Sequence, residues 1–353
     1  MAAVAAVTRI LHRLPLPAGL RRRAERQLLI ARAFRRRRAL RPLADRTALI
    51  GPRDILAFVT LRNERIRLPF FLDYYRRLGV RHFLMVDNGS SDGSADFLRA
   101  QEDVSLWRTG TSYRKARFGM DWLGWLLMRH GHGHWCLTVD PDEFLVYPHC
   151  DSRPLAALTD WLDGIGRRSF PAMLLDMYPK GGIGELPYAE GQDPFEIARW
   201  FDPANYTISK NAYLGNLWIQ GGPRTRAFFA EDPLSGPALN KIPLVRWHWR
   251  YAYVSSTHAL LPRKLNRVYD ENGGEMESGC LLHAKFLSTF PDKAAEEMQR
   301  RQHYARGHEY RAYHDGLRGG PPGGQSLWCG ESREYVDWRQ LEDLGLISRG
   351  NWA

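Results

Sequence analysis

Three acids stand close together in this chain: Asp140, Asp142 and Glu143 follow the apolar run Trp135-Cys-Leu-Thr-Val139. That run is too short for a core helix and reads as a buried strand. Its acids therefore sit at a strand's C-terminal end, where open α/β sheets build their sites. Pro141 biases Asp140 toward extended backbone and removes a backbone donor, so a ladder is expected to stop here. If the backbone stays extended, Asp140 and Asp142 face the same side. Two carboxylates held close repel each other, and a hard divalent cation, Mn²⁺ or Mg²⁺, relieves that repulsion. A solvated acidic turn is the other reading of the same residues.

The segments upstream would position such a site. Ile55-Leu-Ala-Phe-Val-Thr-Leu61 reads as a buried strand ending in Arg62-Asn63-Glu64. Leu68, Phe71, Leu72, Tyr75 and Leu78 then recur at helical spacing as far as Gly79. His82–Val86 is a second strand, closed by the turn Asp87-Asn-Gly-Ser-Ser-Asp-Gly-Ser94 and followed by a helix. Strand, helix, strand, turn and helix make a βαβ unit. Asp87 ends its strand where a carboxylate can accept from a ribose hydroxyl or a base N–H, and Asp92 or Ser94 can cap the next helix. The basic cluster Arg108, Arg114, Lys115 and Arg117 suits a diphosphate, or a solvated loop equally well.

Bulk properties narrow the field. The chain has 353 residues, 44% hydrophobic and 25% charged, an ordinary globular composition. Its four cysteines form no CxxC pair, so neither a zinc motif nor a redox motif is supported. The formal charge of +11 is concentrated: residues 1–53 hold fourteen arginines against Glu25 and Asp45, a net +12, leaving about −1 for the rest. This basic arm, studded with leucines, suggests an amphipathic helix on an anionic membrane surface; a nucleic-acid arm, an organelle transit peptide and a solvated leader are the other readings. The apolar opening precedes the first arginines, the reverse of a secretory signal, and no apolar run is long enough to span a bilayer. Nothing favours nucleic acid as a partner.

Three ordered motifs, "LRNE", "YRRLGVRHFLMVDNGSSDGS" and "DPDEF", resemble glycosyltransferase family 2, in particular a bacterial family-2-like branch. The resemblance covers roughly residues 54–147 well and the later chain only in patches. It implies an α/β GT-A (Rossmann-like) nucleotide-diphospho-sugar transferase fold with a mixed central sheet. It also implies a nucleotide-diphospho-sugar donor, a glycan or lipid-linked acceptor, inversion at the transferred sugar and a divalent metal held by a DxD motif. Carried over by position, Arg62, Asn63, Glu64, Asp87, Arg117, Asp140 and Lys285 would bind the nucleotide-sugar. Asp140, Asp142 and His283 would hold the metal, Asp142 more directly than Asp140. Asn88 stands where many relatives have a second Asp. His283 and Lys285 are two apart, hence on one side of an extended segment. The general base is left open among Asp176, Glu185, Glu231 and Asp232.

The expected organisation is a basic arm over 1–53, a GT-A domain over 54–310, and a Gly/Pro-rich loop with a terminal helix over 311–353. The expected role is cell-envelope or exopolysaccharide synthesis in the cytoplasm, on the inner face of the cell membrane. A non-catalytic nucleotide-sugar or glycan-binding protein that retains the fold is the alternative.

Overall fold

The computed structural model describes residues 17–269, 274–300, 313 and 325–352. The Gly/Pro-rich loop and residues 1–16, with Leu11, Leu14 and Leu16 of the expected amphipathic helix, lie outside the described residues.

Helix α1 (Ala18–Arg36) comes first, followed by strands β1 (Arg41–Ala44) and β2 (Ile55–Leu61). All seven residues of β2 are buried, as suits a strand covered on both faces. Helix α2 (Leu68–Leu78) buries Leu68, Phe71, Leu72, Tyr75 and Leu78. It stops at Gly79, whose φ of 101° needs no Cβ in the way. Strand β3 (Val80–Asp87), helix α3 (Ser94–Arg99), strand β4 (Val104–Arg108) and helix α4 (Met120–His130) complete the first half. Asp92 Oδ1 accepts from the Ser94 N–H at 3.0 Å, but the N-cap of α3 is Gly93, so neither Asp92 nor Ser94 is the cap expected from the sequence.

The second half begins with β5 (Trp135–Thr138), β6 (Glu143–Val146), α5 (Leu155–Gly164) and β7 (Ser169–Asp176). A short strand β8 (Trp200–Phe201), the hairpin β9 (Tyr206–Lys210) and β10 (Leu217–Gly221), and α6 (Gly222–Phe228) lead to β11 (Asn240–Arg246). The pair β12 (Ala252–Tyr253) and β13 (Leu260–Leu261), then β14 (Gly279–His283), α7 (Phe290–Arg300), β15 (Arg333–Glu334) and α8 (Trp338–Asp343) finish the described chain.

Nine strands form one sheet in the order β1-β4-β3-β2-β5-β11-β7-β14-β6. Strands β4, β3, β2 and β5 run parallel, as do β7 and β14, while β1, β11 and β6 pair antiparallel with their neighbours. This is the mixed, Rossmann-like α/β sheet that was expected. Alternate residues of β2 serve two cores: Ala57 and Val59 pack with α2, Leu56 and Phe58 with α4.

The strand directions set the site. Strands β2, β3, β5, β7 and β14 all end at one edge, and antiparallel β11 begins there, so Asp87, Asp140, Asp176, His283 and Lys241 converge on it.

Three expectations need correction. Residues 18–53 are not a separate arm. Helix α1 buries Leu29 and Ala33, and the absence of a side chain at Gly124 of α4 lets Ala33 approach closely. Arg32 also pairs with buried Asp121 at 2.6 Å, and β1 extends the sheet. The expected terminal helix is present as α8, but it is not set apart from the 54–310 domain, since Trp338, Leu341, Ile347 and Trp352 join the main core. Finally, the backbone does not stay extended through Asp140-Pro141-Asp142. Strand β5 stops at Thr138, and the Glu143 N–H donates to the Asp140 carbonyl at 3.0 Å, closing a tight turn. Asp140 and Asp142 consequently meet different neighbours.

Candidate functional site

Asp142 faces His283, whose Nε2 lies 3.4 Å from Asp142 Oδ2. Behind the imidazole, Nδ1 lies 2.6 Å from Asp176 Oδ1, and Asp176 Oδ2 accepts from Arg224 Nε at 2.6 Å. His283 is opposite Asp176 in the β14–β7 register and opposite Glu143 in the β14–β6 register, so backbone pairing fixes this geometry. Burial alone would raise the Asp142 carboxyl, but His283, Arg67 and Lys293 outweigh it and hold it well below the ordinary range. Burial would lower His283, but Asp142 and Asp176 raise it instead. Burial also works to raise Asp176, and Arg224 and His283 reverse that.

Asp140 sits in a second environment. Its side chain is 51% exposed, with Lys241 Nζ at 4.0 Å. Lys241 is itself buried and pairs with buried Glu143 at 2.8 Å. Glu143 Oε2 in turn accepts from the Asp140 N–H at 3.1 Å. The walls around Asp140 and the Glu143 carboxylate push its pKa up to about 7, against Lys241; solvent on its open side works against that rise. Beside it lies a small cleft lined by Thr60, Tyr113, Phe118, Met120, Glu143 and Thr257. The buried hydroxyls of Thr60 and Thr257 have no hydrogen-bond partner among the described residues. Buried polar groups left so are donors and acceptors available to a ligand.

The expected nucleotide wall is largely engaged within the protein. Arg62 donates to the carbonyls of Asn88 at 3.0 Å and Gly89 at 2.7 Å, and pairs with Glu296 of α7 at 3.1 Å. Asn63, with φ 51°, donates its backbone N–H to Ser90 Oγ at 2.9 Å and its side-chain amide to Glu296. Glu64 is buried between Arg67, at 3.1 Å, and Lys293. Asp87 is fully buried, its Oδ1 accepting from the Ser90 N–H at 2.9 Å. Its Oδ2 has no hydrogen-bond partner, only the Arg108 guanidinium at 3.4 Å.

Several sequence candidates lie elsewhere. Arg117 is not available to a diphosphate: its Nη2 donates to the carbonyls of Tyr253 at 2.6 Å and Val254 at 2.7 Å, and its Nη1 lies 3.5 Å from Asp121. Lys285 does not share a side with His283. Strand β14 ends at His283, and the Lys285 ammonium lies over the rings of Tyr313 and Phe290, 4.8 and 5.8 Å from their centres. Asp176 is no general base, because it is buried and held on both oxygens by His283 and Arg224. Glu185 accepts from the Gly182 N–H at 2.8 Å within an exposed turn. Glu231 and Asp232 are exposed, and Asp232 bonds Ser235 in its own turn.

Sequence reasoning missed Arg67, Lys241 and Lys293, the cations that balance these acids. A lysine at the head of the otherwise apolar run Lys241-Ile-Pro-Leu-Val245 was the available signal, since a buried lysine almost always has a partner.

The donor set can be tested against a divalent ion. Among the described residues no three His, Cys, Asp or Glu side chains are grouped so as to hold a metal. Asp142 and His283 present a pair of donors instead, and a carboxylate behind the imidazole is the usual support of a ligating histidine. Ions of the Mg²⁺ type commonly take one or two carboxylates and complete their shell with water and substrate phosphate. The residues therefore fit an ion that arrives with a diphosphate, not one caged by protein alone.

No protein-family model and no curated protein matches this chain. Among solved structures, 4-diphosphocytidyl-2C-methyl-D-erythritol synthase aligns at 16% identity over 40% of this chain and 66% of its own, with a TM-score of 0.23. That span is just under two-thirds of the synthase. A protein assigned as a glucose-1-phosphate thymidylyltransferase from Bacillus anthracis, in complex with a sucrose, aligns at 10% identity over 84% of this chain and 95% of its own, with a TM-score of 0.28. At such TM-scores neither likeness bears on the chemistry, which rests on this chain's own residues.

Proposed function

We propose that the chain is a metal-dependent glycosyltransferase of GT-A type, moving a sugar from a nucleotide-diphospho-sugar to an acceptor hydroxyl with inversion. The observation that carries this reading is the Asp142–His283 pair, backed by Asp176 and Arg224, at the sheet edge beside Asp140. Asp142 and His283 Nε2 would hold Mn²⁺ or Mg²⁺, with Asp140 in reach of the same donor. Such an ion supplies Lewis-acid stabilisation of the departing nucleoside diphosphate.

The residues prepare that chemistry. Asp176 accepts the proton of His283 Nδ1 and so makes Nε2 the nitrogen that faces Asp142, where an ion would take the place of the Nε2 proton. Arg224 keeps Asp176 ionised behind it. Lys241 neutralises Glu143 and leaves Asp140 as the acid open to the cleft. Unpartnered Thr60 and Thr257 offer neutral hydrogen-bonding groups to the uncharged part of a donor. A glycan or lipid-linked acceptor and a place in envelope or exopolysaccharide assembly suit this reading.

A thermal-shift screen of nucleotide-sugars with and without Mn²⁺ tests it, since a ligand of the native state raises Tm. At least one donor should raise Tm only with the ion, and that donor should be hydrolysed or transferred slowly. Binding without turnover with any acceptor would favour the binding-protein alternative. No metal-dependent shift with any donor would sink both.

A further inference from the structure

Helix α1 has two unlike faces. Its inner face recurs every four residues as buried Glu25, Leu29 and Ala33, packed on α4 and on Tyr213, whose hydroxyl donates to Glu25 at 3.0 Å. Its outer face is exposed at Leu20, Arg23, Gln27 and Phe34, which at 100° per residue fall within about 60° of arc. Leu20 is 49% exposed and Phe34 47%. Arg35 and Arg38 flank this strip and are exposed as well. From Ala18 to Ala39 the chain carries nine arginines and one acid, Glu25, which is turned inward.

We propose that this outer face of α1 docks on an anionic lipid bilayer, with Leu20 and Phe34 entering the interfacial layer and Arg23, Arg35 and Arg38 meeting lipid phosphates. Exposed apolar side chains at the centre of a basic helix face are what a bilayer surface accommodates, because it offers hydrocarbon beneath charge. A nucleic-acid backbone would satisfy the arginines but not Leu20. Arg37 lies over the Phe34 ring at 3.6 Å and Trp125 packs against it at 5.6 Å, yet Phe34 stays 47% exposed. Binding is by adsorption, since among the described residues no helix is long and apolar enough to cross a membrane.

The inner face gives docking a route to the cleft. Arg32 bonds Asp121 at 2.6 Å and also the Lys115 carbonyl, and Arg117 bonds Asp121 from the other side. These contacts brace the turn Arg117-Phe118-Gly119, all three at left-handed φ (54°, 57° and 78°), which presents Phe118 to the cleft beside Asp140. The surface proposal does not rest on the glycosyltransferase reading.

Co-sedimentation of the full chain with vesicles tests it, comparing pure phosphatidylcholine with a 3:1 phosphatidylcholine–phosphatidylglycerol mixture, a ratio of roughly one anionic lipid in four. Binding is expected only to the anionic vesicles, weakening as salt is raised. Charge reversal of Arg23→Glu, Arg35→Glu and Arg38→Glu together should lower it by at least about tenfold with Tm unchanged. In a second measurement, a tryptophan placed by Phe34→Trp should add emission that is quenched by brominated lipid in anionic vesicles only. Equal binding to neutral vesicles, insensitivity to the triple reversal, or an unquenched tryptophan would overturn the proposal. So would preferential binding to duplex DNA that the same reversal removes.

Discussion

The two sides of the candidate site differ in how finished they are. At the wall formed by Arg62, Asn63, Glu64 and Asp87, nearly every polar group is already bonded, much of it to Glu296 and Lys293 of α7. At the Asp142–His283 corner the supporting groups are complete while the two front atoms face each other across 3.4 Å. The wall's charges cancel within the protein. The corner is braced from behind and left for something else to complete in front. A site that binds an ion together with its substrate needs the second kind of arrangement, and opening the first requires displacing a side chain.

This contrast can be broken by mutation, beginning at the corner. Asp142→Ala should abolish the Mn²⁺-dependent thermal shift altogether; a shift that survives would place the ion elsewhere. Asp176→Asn keeps the size of the supporting side chain but loses its charge. It should weaken Mn²⁺ binding by about 10–100-fold, measured by calorimetry, while nucleotide binding without metal stays the same.

Acidity sharpens the contrast next. The Asp140 pKa is raised in the folded chain, up to about 7. A raised carboxyl pKa favours folding when protonated, so its contribution is present at low pH and is lost as pH rises through the folded value. A cation needs the ionised form. The Mn²⁺-induced rise in Tm should therefore be greater at pH 8 than at pH 6; His283, raised as well, acts in the same direction, so Asp140→Asn should narrow the difference, and an unchanged difference would remove Asp140 from the ion's surroundings.

The smallest effect belongs to the wall. Glu296→Ala releases a half-exposed pair with Arg62 and should tighten nucleotide binding by about two- to fivefold. Weaker binding would mean that Glu296 helps the ligand instead of occupying its place.

Much of the scaffold is legible in the sequence because it depends on local pattern. Seven consecutive apolar-leaning residues over 55–61 mark β2, the spacing from Leu68 to Leu78 marks α2, and Gly79 stops it. His283 comes into view only through the resemblance, because a histidine at the end of a short apolar strand reads equally well as a core residue. What escaped depends on distant partners. Arg117 and Lys285 look like anion contacts because a basic residue reads the same whether it meets phosphate, a carbonyl or a tyrosine ring. The arginines of α1 mask the four-residue recurrence of Glu25, Leu29 and Ala33. The turn at Pro141 divides two acids that an extended chain would have aligned.

Strands β7 and β11 are hydrogen-bonded neighbours, with Met173 opposite Asn240. Everything between them in sequence, the β9–β10 hairpin and α6 included, leaves and re-enters the sheet through adjacent strands. Such an excursion is a cassette whose exposed turns can change in length at little cost, since its ends stay fixed, while Ile197, Phe201 and Ile219 within it belong to the main core. It is keyed to the scaffold at the Asp142–His283 corner by Arg224, which reaches back to Asp176. A transplanted cassette that kept this arginine would change the surroundings of the corner while leaving Asp176 and His283 held as they are.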